Sequence, residues 1–69
     1  MEKVAVLEMF HDAIYISRKE NSDYNSLLLL AGKCGLKISN RLGGVILEGS
    51  ALYGFMYEVL VRGFKLDIV

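Results

Sequence analysis

One cysteine, Cys34, and one histidine, His11, are all that the chain offers of the residues from which disulfides and zinc sites are built. An internal disulfide is excluded, and no Cys/His cluster of zinc type can be assembled. Net charge is missing as well, since eight basic and eight acidic residues are spread along the 69 positions. Without a basic stripe to neutralise phosphates, nucleic acid is not expected as a partner. Long uninterrupted apolar runs are also absent. Leu27 to Leu30 are consecutive leucines and Gly44 to Val61 is largely apolar, but Lys33 and Lys37 interrupt the first stretch and Glu48 and Glu58 the second. A spanning helix needs about 20 mostly apolar residues without central charges, so no membrane is expected. The opening Met1-Glu2-Lys3, followed soon by Glu8, is unlike the positive start and apolar run of a secretory signal. A reducing, cytoplasmic location is the expectation.

What is present is a great deal of apolar material on a short chain. A chain of this length buries only about 60 % of the surface its unfolded form exposes, and its core seldom stabilises more than about 3 to 5 kcal/mol unaided. Natural chains of this size add disulfides, a metal or a second subunit. With the first two excluded, oligomerisation is the expected helper. The hydrophobic fraction of 54 % and mean hydropathy of +0.39 agree, because they exceed what a small monomer needs to cover itself.

Residues 3 to 10 are rich in β-forming types, and on a helical wheel their charges scatter, which predicts a strand. Ala13 to Ser17 predict another, folding back on the first through His11-Asp12. Arg18 to Asp23 is polar and reads as a loop in which Ser22 or Asp23 caps a helix from about Tyr24 to Cys34, ended by Gly35. Leu36 to Ser39 and Gly44 to Glu48 predict a hairpin turning at Asn40 to Gly43. Ser50 is placed to cap a second helix whose Leu52, Phe55, Met56, Val59 and Leu60 recur at helical spacing. Glu58 and Arg62 stand i,i+4 away from that stripe, Gly63 ends the helix, and Phe64 to Val69 close the chain as a strand.

The two halves match in places. Val6-Leu7-Glu8 parallels Ile46-Leu47-Glu48, and Gly35-Leu36-Lys37-Ile38 parallels Gly63-Phe64-Lys65-Leu66. The offsets differ by the stretch His11 to Ser22, which reads as an insertion. The expected class is therefore α+β, one domain over 1–69, with the order β-α-β-β-α-β. That order resembles the ferredoxin-like superfold, a two-layer sandwich with both helices on one face of the sheet, here with an inserted strand or hairpin after the first strand. The first strand and the Gly44 to Glu48 strand should then be central, and the other two should form the edges. Short strands followed by a helix and a Gly-hydrophobic-Lys-hydrophobic step also resemble ACT regulatory domains. That resemblance implies a small molecule held between subunits near the end of the first strand and the start of the first helix.

Alternation along the strands separates two faces. Ala5, Leu7, Met9, Leu36, Ile38, Val45, Leu47, Phe64, Leu66 and Ile68 make one apolar set, which must lie under the helices. The opposite set places Val4, Val6 and Ile46 centrally within a rim of Lys37, Ser39, Lys65 and Asp67, the anatomy of a protein interface.

Residues suited to chemistry are few. Glu8, His11 and Asp12 are close in sequence, but strand alternation turns Glu8 and His11 to opposite faces, and the set reads as a polar turn. Cys34 at a helix end reads as a small buried hydrophobe, and Gly43-Gly44 as a turn rather than a phosphate loop. Gly32 and Gly54 lie inside the expected helices, where close helix packing would explain them. No cofactor, metal site or catalytic set is expected. Recognition is expected instead from Tyr15 and Arg18, in and beside the insertion, and from Tyr53 and Tyr57, i,i+4 on the second helix. The functional expectation is a non-catalytic homo-oligomer that binds and modulates another protein, as an adaptor or a small inhibitor of the kind phages and mobile elements encode. The alternative is an ACT-like binder of a small molecule. If the Val4, Val6 and Ile46 face joins two copies, Val6→Glu dissociates them, read by sedimentation at micromolar concentration.

Overall fold

The computed structural model describes residues 3–69. Met1 and Glu2, which open the stretch compared with a secretory signal, lie outside them. Seven elements follow one another: β1 (Lys3–Met9), β2 (Ala13–Ser17), α1 (Tyr24–Lys33), β3 (Lys37–Arg41), β4 (Gly44–Glu48), α2 (Leu52–Val61) and β5 (Phe64–Ile68). The strands form a single mixed sheet in the order β3-β4-β2-β1-β5. β1 runs parallel to β5, and the remaining neighbours are antiparallel. The arrangement is consistent with a two-layer α/β sandwich.

Local chemistry explains where the elements end. Gly35 and Gly63 adopt positive φ, 80° and 90°, the left-handed conformation that closes a helix without a Cβ clash. After α1 the Leu36 N–H donates to the Ala31 carbonyl at 3.1 Å, the longer reach of a Schellman ending. The two N-termini depart from expectation. Asp23 and Ala51 occupy the cap positions, and neither helix receives a side-chain cap bond. Ser50 therefore does not cap α2. The β3–β4 turn is also tighter than the Asn40 to Gly43 turn expected, because pairing of Asn40 with Val45 and of Arg41 with Gly44 carries β3 further along.

Strand order corrects the larger expectation. The Ala13 to Ser17 segment, expected as an insertion outside the scaffold, is the centre of the sheet. It lies between β1 and β4, which accordingly do not touch as paired strands. Its Ile14 and Ile16 are fully buried beneath the helices, so the scaffold cannot spare it. The outer positions of β3 and β5 are as expected.

The helix-side face is apolar, as the alternation required. Ala5, Leu7, Ile14, Ile16, Val45 and Leu47 pack against Tyr24, Leu27, Leu30 and Ala31 of α1 and against Leu52, Phe55 and Val59 of α2. Phe55 is fully buried at the core of α2. Burying such a ring is worth about 1.5 to 3 kcal/mol, a large share of what a chain of this size can muster. Toward the edges cover gives out, and Ile38 and Ile68 of the same set are exposed.

One polar side chain sits inside this frame. The register pairs Glu8 with Tyr15 and Met9 with Ile14, and an unbroken ladder would next bring Val6 to Ser17. The Asn21 carboxamide occupies that place instead. Its Oδ1 accepts from the Val6 N–H at 2.8 Å, while Nδ2 donates to the Val6 carbonyl at 3.1 Å and to the Ser17 carbonyl at 2.9 Å. Asn21 is only 2 % exposed, yet every polar atom of its side chain is bonded. An amide has the same donor and acceptor chemistry as a peptide group, so it substitutes for one rung of the sheet.

Replacing Asn21 with Ala leaves three backbone groups without partners where β1 and β2 diverge. Leaving buried donors and acceptors unmet costs about 1 to 3 kcal/mol, so urea denaturation of Asn21→Ala should show a loss of about 2 kcal/mol or more. Asn21→Asp should fare no better at neutral pH, because a carboxylate aims acceptors at two carbonyl oxygens. Stability of either variant equal to the native chain would disprove the bridging role.

Candidate functional site

The sequence-expected recognition residues separate into three places. Tyr15 lies on the open face of the sheet, half-buried, and its hydroxyl donates to the Leu42 carbonyl at 2.9 Å. The ring is thereby tied to the tip of the β3–β4 hairpin. Beneath it the chains come close, since a Cβ added at Gly44 would collide with the Ile16 carbonyl, and one at Gly43 would meet the Tyr15 hydroxyl at 3.3 Å. Arg18 stands at the end of β2 with its guanidinium 5.3 Å from the centre of the Tyr24 ring, a cation–π contact. Tyr15 and Arg18 are thus anchored on opposite faces of one strand end, toward the hairpin tip and toward α1.

Tyr53 and Tyr57 are different, for both are strongly exposed on α2. Two further residues join them, one of which the sequence placed in the core. Leu60, expected in the core stripe, is 52 % exposed, and Val61 is 61 % exposed. Tyr53, Tyr57, Leu60 and Val61 fall at i, i+4, i+7 and i+8, one stripe along the helix. Leu52, Phe55 and Val59 make the buried stripe. The helix is therefore apolar on two sides, with Glu58 its only charged residue. The signal was present in the sequence as that shortage of polar residues, which an inward stripe alone does not require.

Of the expected oligomer residues, Ile46 is 8 % exposed and Val4 and Val6 are intermediate. They do not form one patch: Ile46 pairs across to Tyr15 and Tyr15 to Glu8, so β2 separates Ile46 from the β1 residues. The exposed apolar member of that face is Phe10 beside the β1–β2 turn.

A cleft of about 420 Å³ opens between α1 and the start of β5. Leu27, Leu30 and Phe64 line it, and Lys3, Lys33, Arg62 and Asp23 supply its charge. Lys3 reaches over the Phe64 ring, 5.3 Å from its centre. Among the described residues the cleft gives an apolar surface with three cations against one anion.

Among the described residues no group of three side chains is placed to hold a metal ion. Glu8 belongs to β1 while His11 and Asp12 occupy the bend of the hairpin, the polar turn that the sequence predicted. Cys34 is part-buried at the end of α1 and packs against the core margin. Among the described residues no helix is long and apolar enough to cross a membrane. Comparison with protein-family models, curated proteins and solved structures finds no match for this chain.

Close helix packing does not explain Gly32 and Gly54. A Cβ built at either meets nothing within 4 Å, and both are exposed. Glycine inside a helix costs about 1 kcal/mol relative to alanine, and here no neighbour requires it. Gly32→Ala and Gly54→Ala should each raise stability by about 0.5 to 1 kcal/mol in chemical denaturation. Gly44→Ala should lower it. Destabilisation by the two helix substitutions would show that these glycines are needed for contacts the fold does not contain.

Proposed function

We propose that this chain is a small non-catalytic interaction protein that forms a homo-oligomer and binds and modulates another protein, as an adaptor or inhibitor. The observation that carries the proposal is the outward stripe of α2. Four apolar side chains, two of them tyrosines, stand exposed along a single helix whose opposite side is already committed to the core. Tyrosine contributes large contact area at small entropic cost and is enriched where partners dock. A second apolar stripe on a helix of a 69-residue chain brings no stability to the isolated fold. Tyr15 and Arg18, each held by its own contact, would serve as a preorganised secondary contact.

The proposal extends to the fold. With β1 set aside, β2-α1-β3 and β4-α2-β5 are two β-α-β units, and the remaining strands stand in the order β3-β4-β2-β5. This supports a ferredoxin-like reading in which Lys3–Met9 is the added strand. A second functional reading, an ACT-like small-molecule binder, is favoured by the cleft between α1 and the start of β5, where Lys3, Lys33 and Arg62 surround an apolar wall suited to a small anion with apolar parts.

Affinity capture separates the two. The native chain should retain one stoichiometric protein, and Tyr53→Ala with Tyr57→Ala should reduce its retention at least ten-fold, since two interface tyrosines are commonly worth more than about 1.4 kcal/mol together. Undiminished capture by the double variant would exclude the α2 stripe. No captured protein, together with a thermal shift from an amino acid or nucleotide that Lys3→Ala abolishes, would favour the small-molecule reading.

A further inference from the structure

We propose that the outer edge of β5 is a self-pairing surface on which two copies of the chain join antiparallel, edge to edge, about a two-fold axis through Leu66. This rests on the homo-oligomer reading above and gives it a location.

The hydrogen bonding of β5 fixes which groups are free. The Val69 N–H donates to the Leu7 carbonyl at 2.9 Å, and Leu7 lies opposite Ile68 in the parallel register. Successive residues of a strand direct their N–H and C=O to alternate sides. Val69, Asp67 and Lys65 therefore face β1, and the backbone groups of Phe64, Leu66 and Ile68 face outward. In an antiparallel pair, residues that face each other with these groups exchange two bonds, and the positions between them bring side chains closest. Pairing about Leu66 puts Leu66 against Leu66 of the second copy and Phe64 against Ile68 of the second copy, satisfying all of the free edge.

Side chains agree with the backbone. The intervening positions bring Lys65 opposite Asp67 of the second copy, twice by symmetry, and both residues are exposed on the open face. On the helix face, Ile68, 52 % exposed in the single chain, would be covered by the Phe64 side of the other copy. Register is specified as well. A slip of two residues in one direction sets Lys65 against Lys65, and in the other Asp67 against Asp67, and like charges directly opposite destabilise a sheet.

The other edge shows the contrast. β3 carries Lys37 and Arg41, both exposed, and no acidic residue between them. Pairing two copies about Ser39 would bring Lys37 against Arg41, which is how natural sheets guard an edge against association. β5 has no such protection: its charges are of both signs and placed to meet their complements.

Sedimentation velocity over low to high micromolar concentration tests the proposal. The native chain should show a concentration-dependent dimer. Lys65→Glu and Asp67→Lys, each turning two favourable cross-strand charge pairs per dimer into repulsive ones, should each weaken it about ten-fold or more. The double variant Lys65→Glu/Asp67→Lys exchanges the signs and should restore the native dimer to within about three-fold. A monomeric native chain, singles that leave the dimer unchanged, or a double variant that stays dissociated would each overturn the proposal. So would dissociation by Val6→Glu with the charge variants intact, which would move the contact to the open face. A monomer that still captures its protein through α2 overturns self-pairing alone, whereas a β5 dimer that captures nothing overturns the partner reading alone.

Discussion

Sheet continuity depends on the place where β1 and β2 separate. Two backbone pairs join these strands near their turn, and beyond them the Asn21 carboxamide replaces the next rung by bonding Val6 on one side and Ser17 on the other. β5 is attached to the sheet only through β1, so the β1–β2 junction holds two of the five strands to the other three. The same side chain pins the start of α1, because the loop that carries Asn21 leads directly into Tyr24. An unmet amide in this position would cost more than a surface contact can return, and all of its hydrogen-bonding groups are met.

Around that junction the chain distributes its apolar residues unevenly. The helix-side face is buried at Ala5 and Leu7 of β1, Ile14 and Ile16 of β2, and Val45 and Leu47 of β4, while the edges and the outer side of α2 are exposed. Deep burial of Phe55, Leu7, Ile14 and Leu47 accounts for folding. Exposure of Tyr53, Tyr57, Leu60 and Val61 contributes nothing to it, and surface of this kind marks association in small proteins. The β5 edge adds unpaired backbone to the same molecule. β5 carries Lys65 and Asp67, of opposite sign, whereas β3 carries Lys37 and Arg41, of one sign.

Much of the fold was legible because its signals are local. Strand alternation separated the buried face correctly for Ala5, Leu7, Val45 and Leu47, and Gly35 and Gly63 marked both helix ends through a conformation that other residues resist. The roles of Asn21 and of β2 were not legible. Asn21 looks like any loop asparagine until Val6 and Ser17 are brought to either side of it. The Ala13 to Ser17 strand looked dispensable because matching Val6-Leu7-Glu8 to Ile46-Leu47-Glu48 aligned β1 with β4. In the sheet β2 is the strand that leads into α1, as β4 leads into α2, and pairing rather than sequence likeness sets that equivalence. Leu60 was assigned to the core because helical spacing gives a stripe its width but not its orientation on the sheet.

The sequence by itself determined the elements, the apolar face and the poverty of chemical groups, since propensity, period and composition act over a few residues and need no partner. Only the tertiary structure decided strand order, the bridging use of Asn21, the outward turn of Leu60 and Val61, and which edge is left open. Those depend on contacts between residues far apart in the chain, such as Val69 with Leu7 or Tyr15 with Leu42. Local preferences leave several such pairings open, and the joint burial of both helices against one sheet selects among them.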